Sequence, residues 1–283
     1  MRKGLIVKKW KHRKWFYWET SEYHNFSFVF SWHLWEWLQA AQQELDVKKI
    51  KIGGPAVSIN KKWVPDWMET GNNENVLNKH NNHATRTTKG CIRKCLFCAV
   101  PFLEGDFIEL QNYEIKPILI DNNLLACSKN HFNKLIDNLK NLKWCDFNQG
   151  LDVRLFRKYH ADKFSELKNP IIRLAWDNIK DEKYFLKAYE LLKNAGIKNK
   201  NIQVYVLIGF NDNPENAFYR LSKIEKMGLL PNPMRYQPIN CKKKNEYIGS
   251  EWTDKELKRY MRYWSRLIFF KRIKNISFRD FVI

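Results

Sequence analysis

Residues 203–214 read Gln203-Val204-Tyr205-Val206-Leu207-Ile208-Gly209-Phe210-Asn211-Asp212-Asn213-Pro214. An apolar, β-branched run stopped by a glycine predicts a strand. Pro214 then opens a helix at a first-turn position, where its missing N–H costs nothing.

The same alternation repeats in both directions from this stretch. Upstream, strands are predicted over 84–88, 117–120, 144–150 and 171–176, with helices over 129–142, 156–167 and 181–195, the last stopped by Gly196 as helix C-termini prefer. Downstream, a sixth strand is predicted over 234–238, after the turn Pro231-Asn232-Pro233. Short β runs alternating with longer amphipathic segments imply an α/β fold around a parallel sheet, and six such units predict a partial (βα)6 barrel. Reactive groups in parallel barrels sit at the carboxyl ends of the strands. Those ends here carry Cys91, Asp121-Asn122-Asn123, Asp152, Asp177 and Asn211-Asp212.

The chain is expected to divide into an N-terminal α/β extension (1–80), the core (81–240) and a C-terminal helical segment (241–283). In the first part, a strand at 26–30, a helix at 32–45 and a strand at 49–52 predict a βαβ-like unit extending the core sheet. Gly53-Gly54 reads as a tight turn, because no G-x-G-x-x-G or Walker pattern follows. In the last part, Thr253 or Asp254 is positioned to cap a helix whose apolar positions are Leu257, Tyr260, Met261, Trp264, Leu267 and Ile268.

With 44% hydrophobic and 15% aromatic residues in 283, global disorder is excluded. The apolar run at 4–7 is far shorter than a secretory leader, and the most apolar stretch, 26–38, is too short and too interrupted to span a bilayer. A cytoplasmic protein without a membrane span is expected. The formal charge of +20 suits a polyanionic partner such as RNA or DNA, although a solvated surface in a chain rich in Lys, Asn and Ile explains much of it. Two segments exceed that background. Residues 2–14 interleave lysines and arginines with Trp10, and residues 255–279 carry Lys258, Arg259, Arg262, Arg266, Lys271, Arg272 and Lys274.

Gly90-Cys91-Ile92-Arg93-Lys94-Cys95-Leu96-Phe97-Cys98 is a C-x3-C-x2-C loop directly after a predicted strand. Three thiolates on one loop suit three irons of a [4Fe–4S] cubane, leaving the fourth open to a small molecule. Zinc is the alternative, but a closed tetrahedron asks for a second hook of ligands, and only one hook is present. Cys127, Cys145 and Cys241 stand far apart and read as buried small side chains.

This loop, with aromatic Phe97 before its last cysteine, resembles the radical S-adenosylmethionine (SAM) superfamily signature. The stretch from Thr88 through Cys98-Ala99-Val100-Pro101 to Glu104-Gly105 is similar to that of tRNA methylthiotransferases and cobalamin-domain radical SAM proteins. Residues 121–126, 147–152 and 232–238 also resemble a bacterial and phage radical SAM group. The resemblance, over roughly residues 80–240, implies that Cys91, Cys95 and Cys98 hold the cluster. It further implies that SAM binds the open iron and that an external flavodoxin- or ferredoxin-type donor supplies the electron. Reductive cleavage then gives methionine and a 5′-deoxyadenosyl radical that modifies an acceptor. By position, Asp121, Asn122 or Asn123 would accept hydrogen bonds from the SAM ammonium. Asp177, with Arg173 as a second choice, would meet the ribose, and Asp152 and Arg154 would face SAM or substrate. Gly209, Asn211 and Asp212 would form a degenerate adenine motif. A cobalamin pattern is absent and residues 1–90 contain no cysteine, so neither B12 nor a methylthiotransferase second cluster is expected. Nucleic acid leads as acceptor; a peptide or small metabolite, and a zinc-bound nucleic-acid-binding module, are the alternatives.

Overall fold

Residues 14–41, 49–71 and 76–283 are described by a computed structural model, and the chain divides into two units: Met1–Asn82 with Gln237–Tyr247, and His83–Tyr236 with Ile248–Ile283. In the first unit, strands β1 (Phe16–Glu19), β2 (Tyr23–Ser27), β3 (Lys49–Gly53) and β4 (Glu69–Thr70) form a sheet in that order. β1 runs antiparallel to β2, and the other pairs are parallel. Helix α1 (Ser31–Ala41) joins β2 to β3 and buries Leu34, Trp37 and Leu38 with Phe26, Phe28, Ile50 and Ile52. The short helix α2 (Pro55–Ile59) begins with Pro55 in its first turn.

The expected βαβ unit is therefore present, but it does not extend the core sheet. β1 and β4 flank β2 and β3 and close a separate four-stranded sheet. Residues 42–48, the expected end of α1, lie outside the described residues, as does the basic segment 2–13.

The second unit is mixed α/β around a wholly parallel sheet. Its first strand is β5 (Ala84–Thr85), after which β6 (Thr88–Lys89) and β7 (Ile108–Glu109) form an antiparallel pair outside the sheet. The sheet continues with β8 (Ile118–Leu119), β9 (Cys145–Asp152), β10 (Pro170–Ala175), β11 (Ile202–Ile208) and β12 (Leu230–Arg235), in the order β12-β11-β10-β9-β8-β5. Parallel neighbours need a crossover, and from β8 to β12 helices supply it: α3 (Lys129–Leu139), α4 (Lys158–Ser165), α5 (Glu182–Asn194) and α6 (Pro214–Lys226). Ser128 caps α3 and Asn213 caps α6, each through its side-chain oxygen.

The apolar face of the sheet, including Phe147, Ile172, Leu174, Val204 and Val206, is buried with Leu135, Phe164, Phe185 and Leu221 from the helices. The other face carries polar groups. Arg173 donates to both carboxylate oxygens of Asp146 at 2.7 Å, to Gln203 at 2.9 Å and to the Tyr205 hydroxyl at 3.0 Å.

The sixth strand begins four residues before its predicted start, at Leu230 rather than 234, and contains both Pro231 and Pro233. A proline cannot donate to a ladder, which suits a turn or an edge strand equally in sequence. β12 is the edge of the sheet, so the prolines leave no partner unsatisfied on its open side.

Helix α7 (Asp254–Trp264) is capped by Thr253, whose side chain exchanges hydrogen bonds with Glu256. Leu257, Tyr260, Trp264 and Leu267 are buried as the periodicity requires, and Tyr263 joins them, whereas Ile268 is half exposed. No helix among the described residues is long and apolar enough to cross a membrane.

One buried ion pair ties β10, β11 and α6 together. Arg220 on α6 has no exposed surface; it donates to Asp212 at 2.6 Å and to the carbonyls of Trp176 and Asp177 at 3.0 Å each. Burial lowers its pKa and raises that of Asp212, while each charge favours the other. We expect Arg220→Met to lower the free energy of unfolding by about 3–5 kcal/mol in urea titrations, because Asp212 is left as an uncompensated buried charge. Adding Asp212→Asn to that variant is expected to recover part of the loss.

Candidate functional site

The segment between β5 and the cysteines is held by two carboxylates. Asp121, just after β8, presents Oδ1 to the backbone N–H groups of Thr87 and Thr88 and to both threonine hydroxyls. Burial raises its pKa, and these hydrogen bonds oppose that rise. The second carboxylate, Glu104, accepts from the Gly90 N–H at 2.8 Å, from Asn122 Nδ2 at 2.7 Å and from Arg86. Gly90 has φ +70°, and a Cβ there would stand 2.0 Å from the Asp106 carbonyl oxygen, so only glycine allows this turn into the loop.

From that turn the loop lies over the carboxyl ends of successive strands. Cys91 Sγ accepts from Asn123 Nδ2 at 3.2 Å, after β8, and from the Arg93 N–H at 3.3 Å. Arg93, between the first two cysteines, donates to Asp152 at the end of β9 at 3.1 Å. Burial pushes up the Cys98 thiol, with smaller contributions from Cys95, Cys91 and Asp177, the last following β10. Phe97 packs edge-on against Phe210, after β11, with ring centroids 5.6 Å apart, and Phe210 packs on Tyr236 beyond β12. All six cysteines are free thiols. Cys127 and Cys145 are pushed up to about 12 and Cys241 to about 11, chiefly by burial. Among the described residues, no group of three or more His, Cys, Asp or Glu side chains stands in a metal-ligating arrangement.

The polar strand-end residues divide by what already occupies them. Asp152, at the end of β9, accepts from Arg93 Nε at 3.1 Å and from Arg154 Nε at 2.7 Å; these arginines hold its carboxyl below the usual range despite burial. Asp177 accepts from the Leu207 N–H at 3.2 Å, and burial pushes its pKa up to about 6. Arg173 is committed to Asp146, on the sheet face rather than at the carboxyl ends of the strands. Asp212 turns inward: Oδ1 accepts from the Gly209 N–H at 2.8 Å and Trp252 Nε1 at 3.0 Å, while Oδ2 takes Arg220. Gly209 at φ +84° and Asn211 at φ 47° complete this tight turn, and a Cβ on Gly209 would lie 3.1 Å from Leu257 of α7.

Asp121 gives Oδ1 to the threonines, and Asn122 donates its Nδ2 to Glu104. Asp121 Oδ2 and Asn123 Oδ1 are both buried without a hydrogen-bond partner. Sequence reasoning gave no role to Glu104, Arg93 or Trp252. Glu104 lies within the stretch that carries the resemblance, but nothing in a lone acidic residue signals that it accepts from three groups. A scan against protein-family models found no match, and a search of curated proteins found none either.

Glu104→Ala removes the acceptor for the Gly90 N–H and for Asn122. Hydrogen–deuterium exchange is expected to accelerate in peptides covering 88–98, while β9 and β11 keep their protection. Unchanged exchange over 88–98 would mean that Asp121 alone seats the loop.

Proposed function

We propose that this chain is a radical SAM enzyme with a partial (βα)6 core, in which Cys91, Cys95 and Cys98 hold a [4Fe–4S] cluster. The observation that carries this reading is how the cysteine loop is tied to the ends of successive parallel strands. Cys91 accepts from Asn123 after β8, Arg93 donates to Asp152 at the end of β9, and Phe97 packs on Phe210 after β11. The sequential strand order β5-β8-β9-β10-β11-β12 is that of such a core.

The residues present suit the cluster and its ligand. N–H donors aimed at sulfur, as from Asn123 and the Arg93 backbone, stabilise thiolates that bind iron, and nearby guanidinium groups offset their charge. The unpartnered Asn123 Oδ1 is an acceptor for the SAM ammonium. Asp177, partly desolvated at the next-but-one strand end, is an acceptor for ribose hydroxyls. Phe97 and Phe210 form an apolar wall at the mouth, which excludes water and stray hydrogen donors. When bound, the reduced cluster supplies the electron that splits SAM into methionine and a 5′-deoxyadenosyl radical.

Anaerobic reconstitution with iron and sulfide, followed by dithionite and SAM, is expected to yield 5′-deoxyadenosine by chromatography. Cys91→Ala, Cys95→Ala and Cys98→Ala are each expected to abolish it. Tightly bound zinc with no SAM cleavage would defeat the proposal. Asn123→Ala is expected to weaken SAM binding by about 1–3 kcal/mol, the usual cost of an unmet buried polar group. Unaltered affinity in that variant would remove Asn123 from the SAM site.

A further inference from the structure

The first unit carries a cationic, aromatic groove that the proposed chemistry does not use. Trp35 on α1 and Trp63, just after α2, meet edge to face with centroids 5.3 Å apart, and Lys242 lies over both rings, 4.0 Å from Trp35 and 5.9 Å from Trp63. Two clefts share Lys242. One is lined by Asn60, Lys62, Trp63 and Asn240, the other by Lys14, Trp32, His33, Trp35, Lys243 and Lys244. At the rim of the second cleft, Phe30 stacks flat on Trp32, with centroids 4.6 Å apart and planes 11° from parallel, and Phe30 is 47% exposed. Trp32 Nε1 is buried without a partner.

The charge here is one-sided. Lys14 pairs with Glu36, while among the described residues no carboxylate is ion-paired with Lys62, Lys242, Lys243 or Lys244. Glu246 accepts from the backbone N–H of Lys242. By contrast, the basic C-terminal helix spends much of its charge within the fold. Lys258 pairs with Asp254, Lys271 with Glu225, and Arg259 donates to the carbonyls of Phe278, Arg279 and Phe281.

We propose that this groove binds an unpaired polynucleotide, RNA or DNA. Flat aromatic surfaces stack on any exposed base, and a row of unpaired lysines neutralises the phosphates between bases. A duplex keeps its bases stacked inside and offers no ring to Phe30, Trp32, Trp35 or Trp63, so the aromatic component selects single strands. This assignment stands apart from the radical chemistry, since every residue in it belongs to the first unit.

The test is fluorescence anisotropy of the full-length protein, without SAM, on labelled oligouridylate, oligothymidylate and a duplex of equal length. Tighter binding of either single strand than of the duplex is expected, and the better of the two identifies the ligand as RNA or DNA. Lys242→Ala, Lys243→Ala and Lys244→Ala together remove exposed side chains only. They are expected to flatten the log–log salt slope by about 2, at about 0.7 per lost phosphate contact on a single strand. Trp35→Ala is expected to weaken binding by about tenfold, whereas Trp35→Phe, which keeps a ring, retains most of it. Equal binding of duplex and single strand, or a parental salt slope in the triple lysine variant, would overturn the proposal. Either failure would leave SAM cleavage untouched, so the two readings are separable.

Discussion

A parallel sheet brings the carboxyl end of every strand to the same edge, and that constraint organises the second unit. Each strand must be followed by a crossover, so the apolar sheet face is claimed by helices and the turns at the carboxyl edge are left to polar residues. Because strand order follows chain order, those turns form one row from Asn123 through Asp152, Asp177 and Phe210 to Tyr236. A single loop, residues 90–98, is long enough to touch most of that row.

Buried carboxylates decide which turns are rigid. Asp121 and Asp212 are desolvated at a cost that their hydrogen bonds only partly offset, and both accept backbone N–H groups that a tight turn would otherwise strand. Both oxygens of Asp212 are spent on its turn, whereas Asp121 spends Oδ1 and keeps Oδ2 without a hydrogen-bond partner. Asp152 is similarly engaged by two arginines, one of which, Arg93, belongs to the cysteine loop. The groups left with chemistry to offer are fewer than the sequence suggests, and include Asp121 Oδ2, Asn123 Oδ1, Asp177 and the three thiols. A carboxylate at a strand end is a turn builder first, and its neighbours determine whether any oxygen remains for a ligand.

Much of this was legible in the sequence. Four of the six sheet strands, 203–208 most plainly, follow from β-rich runs closed by Gly or Asp-Asn, and α6 follows from Pro214, whereas the expected strand 84–88 is split between β5 and β6. What was illegible depends on distant partners. The β6–β7 pair is too short to show alternation. The prolines of β12 read as a turn because edge status is a property of the sheet and not of the strand. The N-terminal βαβ unit was readable locally, but whether its sheet joined the larger one depended on β1 and β4. Three adjacent candidates, Asp121, Asn122 and Asn123, differ only through distant partners, since Thr87 and Thr88 take Oδ1 of Asp121 and Glu104 takes Nδ2 of Asn122. The groove of the first unit was hidden for the same reason, since Trp35, Trp63 and Lys242 come from three separated stretches.

The central claim is that the thiols of Cys91, Cys95 and Cys98 carry a cubane with one iron open to SAM. Electron paramagnetic resonance of the anaerobically reconstituted, dithionite-reduced protein, recorded with and without SAM, tests it most directly. The account predicts a reduced [4Fe–4S] signal whose g values shift when SAM is added and which is absent from Cys95→Ala. A signal indifferent to SAM, or a protein that takes up zinc and shows no iron–sulfur signal at all, would contradict it.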